Sequence, residues 1–252
     1  MKLLNYFIYI TLVSFLQRAN TSENFVLITM LYNEINQERI TEYITCLEKN
    51  IENPIIDCIH IIYDTSSDQL TNTHPLKEYI QEKKNIITYT DERPGYGFFF
   101  WLANNHYPNK KIIIANADIY FNESLYFLQN YDLTNQFIIL TRWNVIPDGS
   151  LTLYRSRYSQ DAWIFKSPLA QLEQCNICPG RVACDSQIAY FAICKGLTVS
   201  NPCLTIQACH IHNSGIRNYF SEAYYTIPKR YRPPRFTRLS KTMKPINQGK
   251  IM

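Results

Sequence analysis

The sequence predicts an α/β fold: a single domain with a mostly parallel central sheet and helices on both faces. Continuous apolar runs of strand length, such as FVLITML at 25–31 and KIIIA at 111–115, suit strands buried on both sides. These runs alternate with stretches of helical period at spacings that fit strand–helix–strand units. Several runs also end abruptly in polar groups: Asn33-Glu34, Asp64, Asp91-Glu92 and Asn116-Ala117-Asp118. Composition agrees. With 46% hydrophobic residues, 13 Phe and 19 Tyr in 252 positions, most of the chain is too apolar to stay disordered. There is neither a three-residue glycine repeat nor a sustained heptad, and neither G-x-G-x-x-G nor G-x-x-x-x-G-K-[ST] occurs.

The elements follow in order. The strand at 25–31 gives way to Tyr32-Asn33-Glu34, and residues 38–50 carry Ile40, Tyr43, Ile44 and Leu47 at helical spacing. Pro54 separates that helix from a strand at 55–63 that ends on Asp64. A short helix at 76–83, a strand at 85–89, a helix at 98–106 and the strand at 111–115 come next. A short helix at 125–129 and a strand at 137–140 complete the regular alternation. Beyond Arg142, Pro147-Asp148-Gly149-Ser150 reads as a turn and 161–165 as a strand. Residues 188–194 read as a helix closed by Gly196, and 204–212 as a strand. Two-residue alternation in that last strand puts His210 and His212 on one face. Ligands of open α/β sheets bind at the carboxyl edge of the strands, so the polar strand ends should converge on one crevice.

The flanks carry different signals. One Lys precedes an apolar run at 3–16, too short for a membrane span and of the right length for a signal-peptide core. Residues 1–22 are therefore expected to act as a signal peptide or signal anchor, placing the protein in the secretory pathway, secreted or membrane-anchored. Residues 223–252 hold eight cations and no acid, so a basic tail follows a mildly acidic body. The tail is either solvated or a contact for phosphate or a membrane surface. No basic–aromatic motif points to nucleic acid. Eight cysteines behind such a leader predict disulfides; Cys175-x-x-Cys178 lacks the second pair a zinc finger needs, and free core thiols are the remaining reading.

Four constellations could carry chemistry. Asn116 and Asp118 follow a strand two residues apart and offer oxygen ligands suited to Mg²⁺ or Mn²⁺, unless Asp118 only caps the next turn. His210 and His212, followed by Ser214 and Arg217, would face one site, with Arg217 able to grip a phosphate. Asp185 either caps a helix or serves as a general base, and Asp161 does similar work or lines an acceptor site. Pro94-Gly95-Tyr96-Gly97 permits close backbone approach, with Tyr96 placed to stack on a planar base or sugar.

Taken in order, LITMLYNE, the strand ending in Asp64, NADIYF, CDSQ and the late histidines resemble the GT-A-fold, family-2-like glycosyltransferases. The resemblance spans roughly residues 25–219 and implies a Rossmann-like catalytic domain over 23–222. It implies a nucleotide-sugar donor contacted by Asn33, Glu34 and Asp64, and a glycan, lipid or protein acceptor. Asp118, with His210 or His212, would hold a divalent cation (Mn²⁺ or Mg²⁺) on the diphosphate. Asp185 would be the base of an inverting displacement. Two positions depart from the pattern: Asn116 stands where many relatives have Asp, and Cys184 where many have Glu. They favour the alternative of a transferase fold that binds a sugar or partner without turnover.

Overall fold

The computed structural model describes residues 23–66, 74–83, 85–215, 228 and 231–240. Its elements are β1 (Phe25–Tyr32), α1 (Gln37–Ile51), β2 (Ile56–Asp64), α2 (Pro75–Glu82), β3 (Ile86–Thr90), α3 (Tyr96–His106) and β4 (Lys111–Ala115). Then come β5 (Ile119–Phe121), a 3₁₀ turn (Glu123–Leu128), β6 (Gln136–Leu140), β7 (Arg142–Val145), β8 (Leu151–Leu153) and β9 (Ala162–Lys166). A second 3₁₀ turn (Ala170–Leu172), α4 (Cys184–Cys194), β10 (Thr198–Ser200) and β11 (Ala208–His210) complete the chain.

The central sheet has seven strands in the order β10-β6-β9-β4-β1-β2-β3. Neighbours are parallel except at β9, which runs antiparallel to both β4 and β6. Alternation along the strands feeds two apolar layers. Leu27 and Leu31 of β1 and Ile113 of β4 pack with Ile40, Tyr43 and Leu47 of α1 and Leu76 and Ile80 of α2. Val26, Ile28, Ile112 and Ile114 pack instead with Phe99, Phe100 and Ala103 of α3 and Ile188, Ala189 and Ala192 of α4. The predicted α/β sandwich, with helices on both faces, is the observed one. Each fully buried aliphatic side chain in these layers contributes roughly 1.5–3 kcal/mol.

The part beyond β6 differs from the sequence reading. A second sheet, β5-β11-β7-β8, folds over the carboxyl edge of the first. Its strands of three or four residues are too short to show periodicity, and the turn read at 147–150 is the tip of the β7–β8 hairpin. The predicted strand at 204–212 shrinks to Ala208–His210, paired with both β5 and β7. The predicted helix at 125–129 is a 3₁₀ turn capped by the Asn122 side chain.

Two further expectations change. All eight cysteines are free, so the expected disulfides do not form. Cys175, Cys184 and Cys203 are spent as small apolar groups in the two layers, the usual use of a buried free thiol. The described part of the basic tail is anchored to the body while its arginines, Arg232, Arg235 and Arg238, stay exposed. Thr237 N–H donates to Asn201 O at 2.9 Å, Leu239 N–H to Thr205 Oγ1 at 3.0 Å, and Pro233 and Pro234 are buried. The expected leader at 1–22 lies outside the described residues, among which no helix is long and apolar enough to cross a membrane.

The Pro94–Gly97 loop also has an internal purpose. Tyr96 N–H and Gly97 N–H each donate to a carbonyl of the 175–177 segment at 2.8 Å. A methyl at Gly97 would sit 2.3 Å from Glu173 O and 2.9 Å from Cys175 O, both backbone atoms. Gly97→Ala should therefore destabilise the fold by about 1–3 kcal/mol despite alanine's better helix propensity. Urea unfolding measures it; an unchanged or raised midpoint would show that the contact is not tight.

Candidate active site

A cleft of about 190 Å³ opens where β1 and β4 end, walled by α1, the loop before α3, β7 and the segment after β11. Asn116, Asp118, Asp161, Tyr96, His210 and His212 all line it, as do three arginines: Arg39, Arg93 and Arg142.

One charge cluster centres on Arg39, which is only 8% exposed. Asn36 caps α1 through its side chain and so fixes the first turn, from which Arg39 projects. Each terminal nitrogen of the guanidinium makes two hydrogen bonds. Nη1 donates to Glu42 Oε2 at 2.6 Å and to His212 Nδ1 at 2.7 Å. Nη2 donates to the Tyr43 hydroxyl at 2.9 Å and to Asp118 Oδ2 at 3.1 Å. Glu42 Oε1 then accepts from the backbone N–H groups of Asn213 and Ser214 at 2.6 and 2.8 Å, tying α1 to the histidine segment.

Burial works against ionisation of Asp118, but the hydrogen bond and charge of His210, with the Arg39 guanidinium, hold its carboxyl below the usual range. Burial, then Arg39, pushes His212 below the ordinary imidazole value. His210 Nε2 lies 3.3 Å from Asp118 Oδ2, and its Nδ1 lies 3.2 Å from Asn144 Oδ1. The two imidazoles stack with centroids 5.3 Å apart. One carboxylate and two imidazoles whose ligand atoms lie within 4.8 Å of one another could hold a metal ion. As arranged, however, Arg39 already engages two of the three groups, so the set accepts an ion only if that side chain turns out.

A second cluster lies across the cleft. Asn116 Nδ2 donates to Asp161 Oδ1 at 3.2 Å, and Arg142 Nη1 reaches the same oxygen at 3.2 Å. An aspartate at 116 would set two carboxylates face to face there, which is a physical reason for the amide. Asp185 does not line the cleft itself. It adjoins Asp161 through Gln160, whose backbone N–H donates to Asp185 Oδ2 at 3.4 Å, and Cys184 Sγ donates to Asp185 Oδ1 at 3.1 Å. Asp185 is in the first turn of α4, and Ala183, with φ of 64°, holds the cap position instead. Burial, then the charge of Asp161, holds the Asp185 carboxyl above the usual range, which Cys184 and Gln160 offset in part.

The remaining predicted residues are elsewhere or differently used. Asn33 accepts from the Tyr63 hydroxyl, and Glu34 is buried, accepting from the Tyr32 hydroxyl and Asn36 N–H. Both shape the β1–α1 loop rather than line the cleft. Asp64 is fully buried and reaches the cleft only through Arg93, whose Nε donates to it at 3.1 Å. Tyr96 is 3% exposed, its ring edge-on to Trp163, so it forms cleft wall and has no free face for stacking. Arg217 lies outside the described residues. Sequence reading missed Arg39, Glu42, Arg93 and Arg142. Arg39 and Glu42 left a trace: both are among the buried residues of α1 with Tyr43 and Leu47.

No protein-family model and no curated protein matches the chain. Solved structures similar to it include S. aureus TarS 1–349, at 17% identity and a TM-score of 0.43, over 80% of this chain and 59% of that one. Another is the mannosyltransferase PcManGT from Pyrobaculum calidifontis in complex with GDP-Man and Mn²⁺, at 16% and 0.46, over 75% and 56%. A third is a 4-diphosphocytidyl-2C-methyl-D-erythritol synthase, at 10% and 0.45, over 79% and 94%. The chain thus spans under two thirds of the first two. None of these likenesses carries a residue role to this chain.

The raised carboxyl has a measurable consequence. An acid whose folded value exceeds its unfolded one, about 3.9 for Asp, stabilises the fold fully below the unfolded value and loses that contribution as pH rises through the folded one. Wild-type stability should therefore decline relative to Asp185→Asn as pH rises from about 4. Thermal unfolding across pH reads this, and parallel profiles for the two proteins would contradict a raised Asp185.

Proposed function

We propose that the chain is a glycosyltransferase that moves a sugar from a nucleotide-sugar donor to a hydroxyl acceptor with inversion. The observation that carries this reading is the meeting of two differently tuned carboxylate clusters at the carboxyl edge of a mostly parallel sheet, the usual ligand edge of such sheets. One cluster sets the Arg39 guanidinium among Asp118, His210 and His212 at the cleft and offers a cation to a diphosphate. The other holds Asp185, a carboxyl with raised proton affinity, as a general base should be.

In this reading Arg39, Arg93 and Arg142 meet the charge of the donor's diphosphate. Asp161, pinned by Asn116 and Arg142, lines the acceptor side and keeps Asp185 from ionising too early. Asp185, which stands behind Asp161, takes the proton of the acceptor hydroxyl through one bridging water as the hydroxyl oxygen bonds to the anomeric carbon. The anomeric C–O bond breaks on the opposite face, and the nucleoside diphosphate leaves with the electron pair. A Mn²⁺ or Mg²⁺ ion held by Asp118, His210 and His212 would supply Lewis-acid help to that leaving group, provided Arg39 turned out. The acceptor is a glycan, lipid or protein. Residues 1–22 would deliver the protein to the secretory pathway or hold it at a membrane.

Incubation with a panel of nucleotide sugars should release a nucleoside diphosphate from one of them. Asp185→Asn should slow that release by about 10²–10⁴-fold while leaving donor affinity near wild type. Thermal shift with UDP, GDP and CDP should identify the base, a ligand at about 100 times its Kd adding roughly 2.7 kcal/mol. A folded chain stabilised by no nucleotide and releasing none would end the enzymatic reading and favour a sugar- or partner-binding fold.

A further inference from the structure

We propose that Arg39 is the resident cation of the Asp118–His210–His212 cluster, so that the diphosphate of the donor binds without a divalent metal; the diphosphate half of this inference rests on the glycosyltransferase reading. The guanidinium is not adjacent to the cluster but within it. It lies 3.1 Å from Asp118 Oδ2 and 2.7 Å from His212 Nδ1, groups that an ion would need.

The hydrogen-bond inventory makes the two occupants exclusive. Arginine offers only donors, so His212 Nδ1 must be the acceptor of their bond, and the ring hydrogen then sits on Nε2. A metal takes a lone pair, and His212 in this state has none left to give. For an ion to bind Nδ1, Arg39 would have to abandon Asp118, His212, Tyr43 and Glu42 together; to bind Nε2, His212 would have to exchange tautomers, which breaks its bond to Arg39 as well. Glu42 resists that motion, because its other oxygen is held by the N–H groups of Asn213 and Ser214.

The arrangement also leaves a donor for a ligand. His212 borders the cleft, and its buried Nε2 has no hydrogen-bond partner among the described residues. A buried N–H without a partner is uncommon and costly, and an anionic oxygen would satisfy it. Beside it, the guanidinium supplies a fixed positive charge that needs no ion.

Two measurements on the full chain separate the occupants. The first is Mn²⁺ uptake by the nucleotide-free protein, read from the loss of the free-ion EPR signal. The second is calorimetric binding of UDP, GDP and CDP in EDTA and in Mn²⁺. Wild type should take up no Mn²⁺ and bind its nucleotide equally well in both buffers. Arg39→Ala should take up one Mn²⁺ per chain, lost again on adding Asp118→Ala. Its nucleotide binding should fall about tenfold or more in EDTA and recover with Mn²⁺. Uptake of one Mn²⁺ by wild type that Asp118→Ala abolishes would overturn the proposal, as would nucleotide binding that requires Mn²⁺. Both wild-type results stand even if Arg39→Ala does not fold, and Arg39→Lys then gives the second variant, expected to weaken binding in EDTA because a point charge cannot fork. A wild type that binds neither Mn²⁺ nor any nucleotide would overturn the donor reading and the diphosphate half of this inference, while the Mn²⁺ arm alone still decides the occupancy of the cluster.

Discussion

A buried guanidinium is tolerated only where every donor finds an acceptor, and that requirement organises this molecule around Arg39. Its two terminal nitrogens bind Glu42 and Tyr43 on its own helix, Asp118 just past β4, and His212 just past β11. One side chain thereby joins three segments that are far apart in the chain. Removing one partner from a buried ion pair typically costs about 3–5 kcal/mol, because a charge is left without compensation. The cleft's geometry is correspondingly stiff on this side: α1 cannot shift without disturbing the end of β4 and the turn at 213–214.

The opposite side follows a different rule. Asp161 is held by Arg142 and Asn116, whereas among the described residues Asp185 receives a backbone N–H at 3.4 Å and the thiol of Cys184 at 3.1 Å. Two carboxyl groups of the same chemistry are thus given different proton affinities by their neighbours, a common way of dividing acid–base roles in a site. Asn116 and Cys184, the two departures from the glycosyltransferase pattern that the sequence resembles, acquire local reasons in this light. The amide at 116 avoids carboxylate repulsion at Asp161. Cys184 packs in the layer under α4, where a glutamate would bury a longer charged side chain.

Between the two clusters, the scaffold does the aligning. β1 and β4 are paired from Phe25–Lys111 to Thr29–Ala115, which sets where the chain leaves the sheet and so where Asn116 and Asp118 begin. Thr29 Oγ1 donates to Ala115 O at 3.0 Å at that exit. The second sheet then brings β11, and with it the histidines, across the carboxyl edge by pairing with β5 and β7.

Local pattern determined the alternating elements up to β6, because apolar period and polar strand ends are written in neighbouring residues. It also picked out Asp118, Asp161, Asp185, His210 and His212 as chemically informative, since such residue types directly after apolar strands stand out without any partner. It could not find Arg39, Arg93 or Arg142: a single arginine in a helix, loop or short strand looks like surface, and only packing shows Arg39 and Arg142 to be buried and all three to be paired. It could not show that Asn33 accepts from Tyr63, that Glu34 accepts from Tyr32 and Asn36, or that Tyr96 packs edge-on to Trp163, because polar or aromatic character does not reveal which neighbours a side chain meets. The short strands of the second sheet were hidden too, since three residues hold no period and their pairing is decided by segments more than sixty positions away. Tertiary structure alone decided which charges meet, because charge compensation in a buried site is a property of distances in space, not of order along the chain.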